Sequence, residues 1–511
     1  MNRAQKIART LLISWSIVLV IGLPLRAVAA NDDNQTRPNI LLLLADDLGY
    51  GDLACYGHPT IQTPHLDRLA DEGTLFRQFY VNGSVCSPSR AALMTGHYPS
   101  RQRIFNHLAW GYHNRDCGMP NWLDPGAIQL PRRLRSTGYR TAHFGKWHLG
   151  GGSSGAGTFG VVGDPAAPPV ADYGYDVVRI TLGNGPTWKL GQHWPQRHEI
   201  YQYEDPQWTT HSSRLIVDET IAFLEEHTRT RAAQPFFANV WFKDPHVPLD
   251  PTPEQRALYA DLPEPQQTYY SVVSNLDAQI GRLLGTLEQL GVAGETLVIF
   301  TSDNGPSVSK PNPSGLLAAR LTAVAGVTGG LRGHKRSMYD GGIRVPLIVR
   351  QPGIVPAGRV DAESVLTAVD LLPTLCHIGD VPPAADYQPD GENIADALQG
   401  QAWSRTRPIF WEYRLANLDD DSKASPMLVA RQGKWKLLMN PSRNRIELFN
   451  LQADAGEDHN LATEHPQVAE RLATQLLAWK ATLPPETHVR QESVKDTNEQ
   501  RWAPQRKAVQ R

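Results

Sequence analysis

What this chain lacks narrows it first. Cysteine is scarce: Cys55, Cys86, Cys117 and Cys376 are the only four in 511 residues, too few for a disulfide framework at this length. Neither sign of charge dominates. Against 50 Lys and Arg stand 52 Asp and Glu, a net charge of −2, which gives no electrostatic basis for binding nucleic acid or a membrane patch. Long apolar runs are also missing, with one exception. Residues 10–25 form an uncharged apolar run after Arg3, Lys6 and Arg9, and Ala27-Val28-Ala29 is a small-x-small cleavage pattern. Residues 1–30 therefore read as a secretory signal peptide, with a retained anchor as the alternative. The mature chain is expected to have no integral membrane span and to be exported, either periplasmic or secreted.

What is present is a regular alternation of short apolar runs and helical patterns. Asn39-Ile40-Leu41-Leu42-Leu43-Leu44-Ala45 follows Pro38 and ends at Asp46-Asp47-Leu48-Gly49, as a buried central strand would. Further strands are expected over 139–144, 235–242, 296–300 and 347–350. Helices are expected from Pro64 to Gly73 and over 130–136, 212–226, 269–290 and 367–378. The helix over 269–290 carries a buried stripe at Val273, Leu276, Ile280, Leu283, Leu287 and Leu290. This order predicts an α/β fold over 36–380, a doubly wound, mostly parallel central sheet flanked by helices. Past Pro382–Pro389 the pattern changes to short strands over 409–413, 427–431, 435–439 and 446–451, then a helix over 466–482. Residues 390–483 read as a smaller C-terminal α+β domain, and 484–511 as a polar, mobile tail.

Two stretches invite a reading and then resist it. Gly155-Ala156-Gly157-Thr158-Phe159-Gly160 matches a dinucleotide-binding pattern, but no strand leads in and Asp164-Pro165 follows where a helix should start. A surface loop fits better. Residues 181–211 hold Trp188, His193, Trp194, His198, Tyr201, Tyr203, Trp208 and His211, which serve equally as sugar-stacking platforms or as packing.

Polar residues gather where open α/β sheets bind ligands, at the carboxyl ends of strands. Asp46-Asp47 ends the first strand, Gly145-Lys146-Trp147-His148 another, Lys243-Asp244-Pro245-His246 a third, and Ser302-Asp303-Asn304 a fourth. Each has a plain alternative: an Asx turn, a helix cap or a solvated loop. The segment Val85-Cys86-Ser87-Pro88-Ser89-Arg90 reads as a turn entering a short helix that Gly96 stops. Cys86 at that N-terminus is either a reactive thiolate or a buried structural cysteine, and Arg90 one turn on reaches the same spot. A basic loop, Arg332-Gly333-His334-Lys335-Arg336, comes later. Together, Asp46, Asp47, Asp303 and Asn304 offer hard oxygen ligands for Ca²⁺ or Mg²⁺ rather than zinc. Arg90, Lys146, His148, His246 and Lys335 supply positive charge or exchangeable protons. Such a set suits an anionic, tetrahedral sulfate or phosphate ester.

These segments resemble, in order, the formylglycine-dependent sulfatases of the alkaline phosphatase superfamily. Cys86-Ser87-Pro88-Ser89-Arg90 is similar to the signature whose Cys is oxidised to formylglycine. Asp46-Asp47-Leu48-Gly49-Tyr50-Gly51-Asp52, Gly145–Gly150, Pro245–Pro248, Ser302–Gly305 and Arg332–Lys335 match the remaining motifs. The resemblance implies that Asp46, Asp47, Asp303, Asn304 and the modified Cys86 hold Ca²⁺. It implies that one hydroxyl of the hydrated aldehyde attacks sulfur and that deprotonation of the other, assisted by His148, expels sulfate. Arg90 would stabilise the diol, Lys146 and Lys335 would bind sulfate oxygens, and His246 would protonate the departing alcohol. A formylglycine-generating enzyme is the implied maturation partner, and a sulfated carbohydrate the expected substrate. Alternatives are a phosphomonoester or phosphodiester hydrolase of the same superfamily, or a silent sulfated-glycan binder. Asn82-Gly83-Ser84 matches a glycosylation sequon, expected to be fortuitous because a glycan there would obstruct Cys86.

Overall fold

The computed structural model describes residues 37–485 apart from 110, 151, 154–161, 164–165, 182–205, 248, 250, 308–324, 386 and 415–424. The leader at 1–30, the Gly155–Gly160 pattern, the aromatics from Trp188 to Tyr203, and the tail from 486 lie outside the described residues, as do the side chains of Trp208 and His211. Residues 1–36 and 37–511 form separate units.

The apolar run at the start is strand β1 (Asn39–Ala45), and its alternation divides two cores. Ile40, Leu42 and Leu44 face one core, and Leu41, Leu43 and Ala45 the other. A strand apolar on both sides must be covered on both sides, which is why helices flank the sheet. The other strands of this sheet are β2 (Thr74–Tyr80), β3 (Arg140–Lys146), β4 (Val177–Thr181), β5 (Phe236–Trp241), β6 (Thr296–Ser302), β7 (Arg344–Arg350), β8 (Arg359–Asp361) and β9 (Leu366–Thr367). Their order is β8-β2-β7-β6-β1-β5-β3-β4, with β9 also paired to β2. From β6 to β4 every pair is parallel, whereas β7 runs antiparallel to both β2 and β6.

One face carries helices α1 (Pro64–Asp71), α4 (Pro206–Arg231) and α5 (Glu264–Gln289). The predicted stripe of α5 is buried there from Val273 to Leu287, beside Leu66, Leu69, Ile216 and Phe223. The opposite face carries α2 (Cys86–Thr95), α3 (Leu130–Arg135) and α6 (Leu371–Ile378). On that side lies a second, antiparallel sheet of β10 (Ile409–Glu412), β11 (Leu428–Gln432), β12 (Trp435–Met439) and β13 (Ile446–Asn450), joined by α7 (Pro466–Ala481). It is tied to the first sheet by the Trp411 indole N–H, which donates to the Val81 carbonyl at 2.8 Å.

The doubly wound architecture and the small C-terminal sheet are as expected. Strands β2, β4, β8 and β9 are not in the sequence reading. In β2 the apolar pattern breaks at Arg77-Gln78, where the register with β7 slips between Phe76 and Phe79. No helix among the described residues is long and apolar enough to cross a membrane.

Candidate functional site

The site is assembled by adjacent strand ends. Parallel pairing holds β6, β1, β5 and β3 side by side, so residues following each strand share one edge. After β1 the chain turns at Asp47, which adopts a left-handed φ of 65°. Aspartate tolerates this region better than most side chains. Asp52 locks the turn: one carboxylate oxygen accepts from the Gly49 N–H and the Tyr269 hydroxyl, each at 2.6 Å, and the other from the Val327 N–H at 2.7 Å. At the end of β3, Gly145 has φ 94°, and a Cβ there would collide with the Trp241 carbonyl. Only glycine lets β3 approach β5 this closely before Lys146.

Helix α2 brings Cys86 to the same edge. Cys86 is its first residue, and Gly96 ends it with φ 63° and an N–H bonded to the Ala92 carbonyl at 2.9 Å. All ten residues of the helix are buried. The Cys86 thiol donates to Asp46 Oδ1 at 3.4 Å, and Lys146 Nζ lies 3.4 Å from its sulfur. Arg90 is fully buried with its guanidinium 5.1 Å from the Trp241 ring centroid. It donates through Nε and Nη2 to Asp303 Oδ2 at 2.9 and 2.7 Å, and through Nη1 to the Lys146 carbonyl at 2.8 Å. One side chain thereby fastens β3, β6 and α2 together.

Three buried carboxylates face three buried or nearly buried cations. Lys146 pairs with Asp46, Arg90 with Asp303, and Lys335 with Asp47 at 2.7 Å. Lys335 is thus the member of the basic loop that enters the site, while His334 and Arg336 are exposed. Asn304 donates through Nδ2 to Asp47 Oδ1 at 2.7 Å, and its buried Oδ1 has no hydrogen-bond partner. Asp46, Asp47, Cys86 and His246 bring potential ligand atoms within 4.8 Å of one another. An orphaned amide oxygen beside converging carboxylates is what a hard divalent cation requires, so these residues fit Ca²⁺ or Mg²⁺.

The electrostatics follow from burial. Burial alone would raise the Asp46 carboxyl, but Lys146, His246 and Arg90 outweigh it and hold the group well below the usual carboxylate range. Burial and the neighbouring Asp46 push Asp303 upward against the pull of Arg90. The Cys86 thiol is pushed far up by burial, then by Asp303 and Asp46. Desolvation and two carboxylates thus oppose the thiolate that the helix N-terminus would favour, which leaves the buried cysteine of the two alternatives the better fit to the unmodified thiol. Burial and Lys335 lower His246 to about 4. Its Nδ1 donates to the Val247 carbonyl at 2.7 Å, and Nε2 lies 3.6 Å from Asp47 Oδ2. Burial and Lys146 hold His148 well below its ordinary value, leaving it neutral.

Nine of the ten predicted site residues, Asp46, Asp47, Cys86, Arg90, Lys146, His246, Asp303, Asn304 and Lys335, join in one run of contacts. His148 stands one step away. Its carbonyl accepts from Ser87 Oγ at 2.7 Å, Nε2 bonds the Leu108 carbonyl at 3.1 Å, and buried Nδ1 has no partner. Sequence reasoning missed the supports. Ser87 also accepts from the Leu108 N–H at 2.9 Å, Trp241 underlies Arg90, and Ser212 and Ser213 hold the Asp244 carboxylate that anchors the His246 turn. Of these, only the Ser212-Ser213 pair facing a buried aspartate carried a polar signal inside a helical pattern. Asn82 is fully buried, its Oδ1 accepting from Thr367 Oγ1 and the Val369 N–H, so the folded chain cannot present the sequon. None of the four cysteines forms a disulfide.

Converging carboxylates walled by fixed positive charge, at the ends of parallel strands, suit an anionic, tetrahedral ester. The comparisons specify which. The pattern described as Sulfatase matches residues 38–381, and that described as N-sulphoglucosamine sulphohydrolase, C-terminal, matches 333–482. This chain belongs to the sulfatase family and is a sulfuric ester hydrolase. It is 28% identical to an N-acetylgalactosamine-6-O-sulfatase of Bacteroides thetaiotaomicron, over 93% of this chain and 99% of that protein. It is 31% identical to the N-acetylgalactosamine-6-sulfatase of Sus scrofa, over 89% of this chain and 81% of that one. Its fold is like that of an enzyme designated i-CgsB, crystallised with a neocarrahexaose, at 24% identity and a TM-score of 0.72 over 91% and 97% of the two chains.

Proposed function

We propose that this chain hydrolyses sulfate esters of sulfated glycans, with Cys86 matured to formylglycine by a generating enzyme and Ca²⁺ held by Asp46, Asp47, Asp303, Asn304 and residue 86. The observation that carries this reading is the position of Cys86, buried at the start of α2 between Asp46 and Lys146, where its thiol is held protonated. The segment Cys86-Ser87-Pro88-Ser89-Arg90, similar to the formylglycine signature, thus stands where the candidate cation ligands and Lys146 converge. Bound together, a hydrated formylglycine and Ca²⁺ supply an activated hydroxyl, a second exchangeable hydroxyl and Lewis-acid stabilisation.

The chain's own groups do the rest. The three carboxylates of Asp46, Asp47 and Asp303 balance Arg90, Lys146 and Lys335, so a divalent cation makes the pocket net positive and draws in a sulfate monoester anion. Lys146 and Lys335 bind sulfate oxygens, and Arg90 fixes Asp303 and the β3 end. His148, neutral with an unpartnered Nδ1, accepts a proton from residue 86. His246 donates from Nε2 to the leaving alcohol, its Nδ1 being committed to Val247, and the arriving anion favours its protonated form. The glycan substrate is supported by the names of the relatives, which are N-acetylgalactosamine-6-sulfatases. The leader at 1–30 supports export to the periplasm or outside the cell. The expected behaviour is hydrolysis of an aryl sulfate in preference to the matching aryl phosphate, with Cys86→Ala lowering kcat/KM more than about 10³-fold. A clear phosphate preference, or full activity in Cys86→Ala, contradicts the proposal.

A further inference from the structure

We infer that the rim of the sulfate pocket holds a second anionic group of the substrate, a carboxylate or another sulfate, with Arg336 as its charged contact. The inference rests on the sulfate-ester reading above and extends it to substrate choice.

Inside the pocket every cation has its carboxylate: Arg90 has Asp303, Lys146 has Asp46, and Lys335 has Asp47. Arg336, the next residue, breaks that pattern. It is exposed, and among the described residues its guanidinium has no ion-pair partner. Its backbone is nevertheless fixed at the site, with φ 73° and an N–H donating to the Ser84 carbonyl at 2.8 Å, two residues before Cys86. A left-handed φ at a non-glycine residue is costly unless the surroundings impose it.

Two histidines lie between this loop and the His148 side of the site. The rings of His107 and His113 lie 4.6 Å apart, and His107 lies 6.4 Å from the ring of His148. This pair extends outward from the His148 ring. Burial lowers both rings, and the charge of Arg336 acts in the same direction on each, opposed at His113 by Asp116. Asp116, the acidic group facing His113, lies 3.6 Å from Arg115. His107 Nδ1 donates to Asn106 Oδ1 at 2.8 Å, which leaves Nε2 as an acceptor for a sugar hydroxyl. An exposed guanidinium with no ion-pair partner among the described residues, on a backbone tied to the Cys86 turn, matches a carboxylate or sulfate carried by the same or the neighbouring sugar.

The test compares three matched glycosides: one sulfate on a neutral sugar, the same sugar with a second sulfate, and the same sulfated sugar linked to a uronate. Wild-type enzyme should favour one of the two-anion substrates through KM, and which one is favoured identifies the group. Arg336→Ala should lower the ratio of kcat/KM for that substrate over the single-sulfate substrate roughly 10- to 100-fold, with Arg336→Lys recovering part of it. Hydrolysis with a ratio unchanged by Arg336→Ala, or no wild-type preference for either second anion, overturns the inference alone. Wild-type protein that cleaves none of the three overturns the sulfatase reading beneath it.

Discussion

Lys436 is expected to hold the C-terminal sheet to the catalytic one through a single buried ion cluster. On β12, its ammonium is fully buried, 2.7 Å from Asp340 Oδ1 and 2.8 Å from Glu457 Oε1. Glu457 also accepts from the Asp340 N–H at 2.6 Å, and Asp340 Oδ2 accepts from the Tyr80 hydroxyl at 2.7 Å. Burial would raise Asp340, but Lys436, Arg344 and Arg431 outweigh it, whereas burial wins at Glu457 and pushes it up. Replacing Lys436 with Met leaves two carboxylates facing each other without their cation. Such a loss costs about 3–5 kcal/mol, because Glu457 stays buried without its cation and Asp340 keeps only the longer pair with Arg344 at 3.6 Å. Glu457 then rises further and Asp340 loses its largest lowering charge, so the folded variant binds protons that the unfolded chain has released. Its deficit is therefore larger at pH 8 than at pH 5.5. Asp340 also begins the turn that closes the Lys335 loop, where the Gly341 N–H donates to the Arg332 carbonyl at 2.7 Å. Urea denaturation at the two pH values measures the loss, and KM for an aryl sulfate, expected to rise, reads the loop. A loss under about 1 kcal/mol that is equal at both pH values is what an exposed ion pair would give, and would refute the reasoning.

Asp277 on α5 accepts from the His65 and Leu66 N–H groups at the start of α1, and burial raises it from 3.8 to about 7. Its folded pKa lies above its unfolded one, so its contribution to stability falls as pH rises through that window, by at most about 4 kcal/mol. Asp277→Asn should flatten the decline in urea midpoint between those pH values, and parallel curves for variant and wild type would contradict this. Stripping divalent cations with a chelator should lower both Tm and sulfatase activity without unfolding the chain, since the carboxylates retain Arg90, Lys146 and Lys335. Added Ca²⁺ should restore both; a Tm indifferent to Ca²⁺ would remove Asp46, Asp47, Asp303 and Asn304 as ligands.

How much of this was legible in the sequence depended on whether the signal was local. The run at 39–45 and the aspartates that end it are contiguous, so both the central strand and its chemistry could be read together. The same holds for Lys146, His246 and Asp303, each directly after an apolar run. Strand β2 was hidden because its bulge puts Arg77 and Gln78 where the apolar pattern should continue. The antiparallel insertion of β7 between β2 and β6 depends on pairing across hundreds of residues, which no local pattern encodes. Pairing within the site was equally hidden: Arg90 meets Asp303 at a separation of 213 residues. The environment of Cys86 was left open for a related reason. The helix N-terminus was visible, but the desolvation and carboxylates that oppose a thiolate come from β1 and β6.

The central claim is that residue 86 works as something other than a thiol. Mass spectrometry of the peptide containing Cys86, from protein that cleaves an aryl sulfate, tests it directly. The peptide should carry an aldehyde or its hydrate at position 86 and react with a carbonyl-specific hydrazide, with the modified fraction tracking specific activity across preparations. Fully active protein whose peptide carries only an alkylatable thiol would contradict the account.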